Sequence, residues 1–346
     1  MVPDPHSREM STCITGRFAP APSAPAWFHS ALEHPVSSNF VEVDGCPIHY
    51  LLWPRFGDGE DRGGLLFVHG GGAHANWWRF IAPFFTRDFR VAAIDLSGMG
   101  DSGRRDDYDA IQRADEMKAV ISAAGLRAKP FVIGHSFGGL MTMRFGAAYG
   151  DEIGGAVIVD SPIRRPEERA KFKPPKGMGW MRVYDTFETA VDRFRLLPAQ
   201  ECANDFLVDF VARHSIKEVE TGWAWKFDIG VLSSRRFGEP FHEHLQKVRC
   251  RAALIFGESS ALVSRETAAY MSELMGPQAP IVEIPEARHH VMLDQPLAFV
   301  AALRAILDGW VRTDSGEPPR RHFALTSHTP KLTFVFDGST IFDRRR

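Results

Sequence analysis

Cysteine is scarce in this 346-residue chain: Cys13, Cys46, Cys202 and Cys250 lie far apart and form no C-x-x-C pair. That spacing excludes a disulfide scaffold and predicts free thiols in a reducing, cytoplasmic setting. Long hydrophobic runs are missing too. No apolar stretch reaches the roughly 18 residues of a membrane span. The first residues include Asp4 and Glu9 and no apolar stretch of signal-peptide length. Neither a membrane nor secretion is expected. An excess of one charge is also lacking, with 41 Lys and Arg against 43 Asp and Glu, a formal net charge of -2. Nothing in that balance calls for nucleic acid or an anionic surface as partner. Arg344 to Arg346 read as a solvated end.

What is present is apolar and ordered in blocks. Hydrophobic residues make up 44% of the chain, enough for a substantial core. Short continuous apolar runs occur at Leu65 to Val68, Val91 to Ile94, Phe131 to Ile133, Ala156 to Val159, Ala252 to Phe256 and Ile281 to Ile284. Such runs suit strands buried on both faces of a parallel sheet. Helix-prone segments lie between them, near 76–86, 108–124, 137–149, 264–275 and 296–311. A hairpin precedes them, from Phe40 to Trp53 around an Asp44-Gly45 turn. The alternation predicts an α/β fold with a doubly wound, mostly parallel sheet.

Three stretches break this rhythm. Residues 1–36 carry six prolines and little periodicity, and read as a loosely ordered leader. Pro162 to Val248 holds no clear strand, contains Trp180, Trp223 and Trp225, and has helical periodicity over 186–196 and 200–214. It reads as a helical cap (residues 162–248) inserted into a core made of 37–161 and 249–312. Residues 313–346 read as a flexible tail, with Leu332 to Phe336 as a further strand in the alternative.

The most informative stretch is Gly134-His135-Ser136-Phe137-Gly138, between a buried strand and a helix. This G-x-S-x-G pattern is that of a nucleophile elbow. Glycines two residues either side of Ser136 let a strained turn close without clashes. The turn pushes the hydroxyl out of the sheet, and the following helix offers its first N–H groups to a developing negative charge.

Other pieces complete a resemblance: His69-Gly70-Gly71-Gly72 after a strand, Asp95-Leu96-Ser97-Gly98-Met99-Gly100-Asp101-Ser102, and His289 shortly before Asp294-Gln295-Pro296. Over about residues 40–312 the chain resembles the capped α/β hydrolases, which include proline iminopeptidases, haloalkane dehalogenases, epoxide hydrolases and small esterases. The resemblance implies Ser136 as nucleophile, His289 as base and the N–H groups of Gly71 and Phe137 as oxyanion hole. Gly72 either tightens its turn or donates as well. His290 is the adjacent rival base, and Arg288 stands where the family usually has a small glycine. His69 and the 95–103 loop read as structural.

The acid departs from the pattern. The family usually places an Asp after the seventh strand, where this chain has Gly257-Glu258-Ser259-Ser260. Ser260 occupies that place and carries no charge to stabilise an imidazolium. Asp160, ending the strand Ala156 to Val159, is the first candidate for the missing carboxylate, and Glu258 is the alternative.

A serine in place of a nucleophilic carboxylate argues against dehalogenase or epoxide hydrolase chemistry. The expected reaction is acyl transfer on a small or medium apolar ester or lactone, with Trp223 or Trp225 as an apolar wall of the substrate site. Relatives that cut C–C bonds or remove N-terminal proline are alternatives, and a ligand-binding protein with an impaired triad is another. No cofactor and no metal are expected; the spacing of the histidines suggests no ligand cluster. The expected partner is a small molecule, with no nucleic acid and no membrane; a homodimer stays open.

Overall fold

The computed structural model describes residues 23–126, 129–169, 182–232 and 239–314. The tail strand near 332–336 and Trp180 lie outside the described residues.

Eight strands form one sheet: β1 (Ser37–Val43), β2 (Cys46–Trp53), β3 (Gly64–Val68), β4 (Arg90–Ile94), β5 (Phe131–His135), β6 (Gly155–Val159), and, past the insertion, β10 (Arg251–Gly257) and β11 (Ile281–Ile284). Their spatial order is β1-β2-β4-β3-β5-β6-β10-β11. The hairpin β1–β2 and the β2–β4 pair are antiparallel, and every later pair is parallel. Asp44 and Gly45 link the hairpin with φ of 46° and 74°, the left-handed pair that a tight two-residue turn needs.

The apolar runs are strands because both faces are covered. Strands β3, β5 and β6 are buried at every position. Alternate residues feed two cores, with Phe67, Ile133, Val157 and Ile255 on one face and Leu66, Val132, Ile158 and Leu254 on the other. Helices α2 (Ala110–Ala123), α3 (Phe137–Tyr149) and α8 (Arg265–Met275) cover the second face, and α10 (Pro296–Asp314) covers the first. The expected helix near 76–86 is instead two 3-10 turns, Ala75–Trp78 and Ala82–Phe85. Pro83 has no N–H to continue a helix through this stretch.

The end of the expected leader is built into the fold. Helix α1 (Ala26–Glu33) buries Phe28, Ala31 and Leu32. Phe28 meets the rings of Phe80, Phe206 and Phe210 at 5.1–5.9 Å. Prolines at 20, 22, 25 and 35 disguise a single apolar helix face. Truncating Phe28 to Ala would cost about 3–5 kcal/mol.

The insertion between β6 and β10 is mixed rather than all helical. It holds helices α4 (Pro166–Arg169), α5 (Phe187–Asp192), α6 (Asp205–His214) and α7 (Phe241–Gln246). It also holds an antiparallel sheet of β7 (Val183–Tyr184), β9 (Gly222–Trp225) and β8 (Ile216–Val219), in that order. The β8–β9 link is Glu220-Thr221, without the Gly or Asn that announces a tight hairpin. The segment is docked on the 95–103 loop: Gly100 N–H donates to Lys226 O, Asp228 N–H to Gly98 O, and Lys226 Nζ lies 2.8 Å from Asp101.

The short helix α9 (Val291–Asp294) joins β11 to α10 and fixes the loop that carries His289.

Candidate active site

The elbow closes because side chains are missing where backbone passes. A Cβ at Gly134 would stand 2.3 Å from Gly138 O, and one at Gly138 would stand 2.4 Å from Val68 O. Ser136 itself sits at φ 54°, ψ -117°, a conformation that costs on the order of 1–3 kcal/mol and persists only where its surroundings enforce it. The Ser136 N–H donates to Val159 O at 2.8 Å, and Ser161 Oγ donates to Ser136 O at 2.7 Å.

From Ser136 a hydrogen-bonded chain crosses three strand ends. Ser136 Oγ lies 3.0 Å from His289 Nε2, and His289 Nδ1 lies 2.8 Å from Asp160 Oδ1. A carboxylate accepts only, so Nδ1 carries the imidazole proton and Nε2 is left to accept from the serine hydroxyl. His289 and Asp160 are 1% and 0% exposed. Asp160 stands at φ 45°, directly after β6. Three donors converge on it: His289, the Gly257 N–H at 2.9 Å, and Ser260 Oγ at 2.7 Å. Ser260 Oγ accepts the Leu262 and Val263 amides, both at 3.1 Å, which aims its own proton at Asp160. The serine at the usual acid position thus supports the carboxylate of the neighbouring strand.

Glu258 is elsewhere. Its carboxylate accepts the Glu286 N–H at 3.0 Å and faces Arg265. His290, the rival base, makes no hydrogen bond to Ser136 or Asp160 among the described residues; its ring is buried beside the Pro198 carbonyl and the imidazoles of His135 and His289. Asp294 organises the histidine loop by accepting from the Arg288 N–H at 2.7 Å and from Gln200 Nε2 at 3.0 Å. Burial pushes the Asp294 carboxyl upward, opposed by these donors. Arg288, in place of the family's glycine, hands its side chain to Glu201 O and leaves the loop closed.

The oxyanion candidates flank the serine. Phe137 is the first residue of α3. Gly71 lines the cavity, and its N–H has no partner among the described residues. The Gly72 N–H is committed to Met99 Sδ at 3.2 Å, and its φ of 74° marks a turn residue. Gly72 therefore shapes the cavity wall as a turn rather than donating. His69 is structural: its Nε2 accepts the Leu96 N–H, and its Nδ1 donates to Gly70 O. Asp95 ties the adjoining loop together by accepting from His49 at 2.7 Å and from the Ala75 and Asp101 amides.

Above Ser136 lies a cavity of about 740 Å³. Its floor is Gly70 to Ala73, Trp77, His135 and His290. Its upper wall is supplied by the insertion: Phe194, Leu196, Trp225 and Phe227. Trp223 is absent from that lining. It packs edge-on to Phe187 at 5.1 Å in the core of the insertion, so of the two indoles only Trp225 faces the cavity. Three arginines, Arg182, Arg193 and Arg195, also line it, and no described carboxylate does.

His135 and His290 are buried beside the chain of three, with ring centroids 4.8 Å from that of His289. Burial holds both well below the usual histidine range, and their neighbouring imidazoles push the same way. Residues 135, 289 and 290 bring ring nitrogens within 4.8 Å of one another. That grouping differs from the sequence expectation of no histidine cluster, because β5 delivers His135 from 154 residues away. Neither this cluster nor the support from Ser260 and the arginine rim carried a sequence signal. Each depends on strand ends or loops meeting in space.

The family model described as alpha/beta hydrolase matches residues 65–303. An esterase of Mycobacterium tuberculosis is 24% identical over 284 residues, covering 79% of this chain and 91% of its own. A 2-hydroxy-6-oxo-6-(2'-aminophenyl)hexa-2,4-dienoic acid hydrolase of Metapseudomonas resinovorans is 24% identical, covering 78% of this chain and 90% of its own. Among solved structures, an E-2-(acetamidomethylene)succinate hydrolase superposes with a TM-score of 0.65 at 20% identity, covering 78% of this chain and 98% of that one.

Proposed function

We propose, for a chain that belongs to the alpha/beta hydrolase family, that Ser136 cleaves a small or medium carboxylic ester or lactone through an acyl-enzyme. His289 Nε2 takes the serine proton as Oγ attacks the carbonyl carbon. The Gly71 and Phe137 N–H groups hold the oxyanion that forms. Asp160 keeps the imidazole in the required tautomer and stabilises the imidazolium. The imidazolium returns its proton to the leaving alkoxide. Water, deprotonated by His289, then attacks the acyl carbon; the bond to Ser136 Oγ breaks, the imidazolium returns its proton to Oγ, and the acid departs.

One observation carries this reading: the unbroken chain from Ser136 through His289 to Asp160, at 3.0 and 2.8 Å, beneath an apolar-walled cavity. Its test is covalent labelling by a fluorophosphonate, followed by intact mass. Wild type is expected to take one label rapidly, Ser136→Ala none, and Asp160→Asn one label slowly. An unlabelled wild type would reject the acyl-enzyme and favour a ligand-binding protein.

The rim adds a second feature. Arg182, Arg193 and Arg195 line the cavity without a described acidic residue to oppose them. This favours substrates whose far end carries a carboxylate, whether an ester or the dienoic acid class for which one relative is named. It disfavours an aminopeptidase, whose free-amine substrate would need an acidic site.

A further inference from the structure

We propose that His135, His289 and His290 form a transition-metal site on the cavity floor, and that an ion of the zinc type bound there shuts off Ser136. The three side chains present nitrogens within 4.8 Å of one another and are 1–3% exposed. A tetrahedral zinc with nitrogens at about 2.0–2.1 Å spaces them by roughly 3.4 Å. Side-chain rotations that bring the nitrogens together by about 1.4 Å close that gap.

The partners of each ring favour ligation. A ligating histidine works best when its other nitrogen is held by a carboxylate or carbonyl, which fixes the tautomer and aims the lone pair. Asp160 holds His289 Nδ1 at 2.8 Å, leaving Nε2 basic. The carbonyl of His289 accepts from His135 Nε2 at 3.0 Å, leaving the lone pair on His135 Nδ1. The buried ring of His290 lies beside the Pro198 carbonyl, the kind of acceptor that fixes the tautomer of a ligating imidazole. His290 and His135 both line the cavity, so an ion has a path in. A set of imidazoles without carboxylate selects zinc, copper or nickel over calcium or magnesium.

The inhibitory effect follows from shared electrons. The lone pair on His289 Nε2 that accepts the Ser136 proton is the one that would bind the metal. While the ion is bound, Ser136 has no base.

The test is calorimetric titration of the full chain with zinc chloride, read beside fluorophosphonate labelling of wild type. One zinc per chain is expected. His290→Gln and His135→Gln should each weaken it at least tenfold, and His242→Gln, in α7, should leave it unchanged. Zinc should slow wild-type labelling at least tenfold, with full recovery on chelation by EDTA. Zinc binding unaffected by both floor substitutions would overturn the proposal. So would stoichiometric binding that leaves labelling of wild type unchanged, a result that does not depend on any variant folding. If wild type is not labelled even without zinc, the hydrolase reading fails alone, and the titration still decides the site.

Discussion

Two neighbouring strand ends, those of β6 and β10, divide one task between them. The strands run parallel, with Val159 opposite Ile255. The resemblance leads one to expect the acid after β10, where Ser260 stands; the carboxylate found beside His289 is Asp160, after β6. The β10 end is not idle, since Ser260 Oγ and the Gly257 N–H both donate to that carboxylate. The proposed chemistry requires a buried acceptor at His289 Nδ1. It does not require that the acceptor arrive on a particular strand. Adjacent strands about 4.8 Å apart reach the same point, so acid and supporting donor can exchange places.

The largest effect should come from removing the charge at the β6 end. Asp160→Asn is expected to lower kcat on the order of 10⁴-fold by favouring the wrong tautomer, as removal of a triad carboxylate does elsewhere; a loss under about tenfold in steady-state ester hydrolysis would reject the assignment. The comparison sharpens if the acid is moved. Adding Ser260→Asp to Asp160→Asn should recover at least tenfold of the lost rate, because the Ser260 side chain already reaches the carboxylate that holds His289. No recovery would mean that the β10 loop can support a carboxylate but not present one.

A smaller effect tests the donor side alone. Ser260→Ala leaves Asp160 with two donors instead of three and should reduce kcat roughly tenfold, the scale of one hydrogen bond to a charged group. An unchanged rate would show that the Gly257 amide and His289 suffice.

The same edge sets an acid limit on the fold. Burial depresses His135 and His290, and in the insertion between β6 and β10 it pushes His214 down to about 3. Unfolded, these imidazoles titrate near 6.5. Between about 6.5 and 3 the unfolded chain therefore binds more protons than the folded one, and stability is lost as pH falls through that window. Thermal melts should show a falling midpoint from pH 6.5 downward, and a flat profile would contradict the buried, neutral state of these rings.

The smallest effect concerns the rim, where charges are exposed and screened. Arg193→Ala should raise KM for an ester with a terminal carboxylate about two- to fivefold, leave the uncharged analogue unaffected, and lose its effect in high salt. Equal changes for both esters would remove the case for an acid-bearing substrate.

Much of this was readable in one dimension. The buried strands, the helix of residues 137–149 and the elbow are local, since each is set by apolar runs, helix-prone stretches or two glycines around Ser136. His289 was legible from its distance to Asp294-Gln295-Pro296, and Asp294 does hold that loop. Asp160 was reachable only by elimination, from the uncharged Ser260. The helix Ala26–Glu33 stayed hidden among prolines, and the hairpin of the insertion among residues that announce no turn. Trp223 and Trp225 looked alike because a sequence gives two aromatic residues but not which neighbours they meet.

The chain alone determined the class of fold and pointed to Ser136 and His289 as the proposed nucleophile and base, because those readings rest on backbone sterics, hydrophobic period and short motifs, which act over a few residues. Tertiary structure decided which carboxylate meets His289, how Ser260 serves it, and that His135, from 154 residues away, stands against the histidine pair. Those are contacts between the ends of different strands. Sheet order and register place them, and both are properties of the packed core rather than of any one segment.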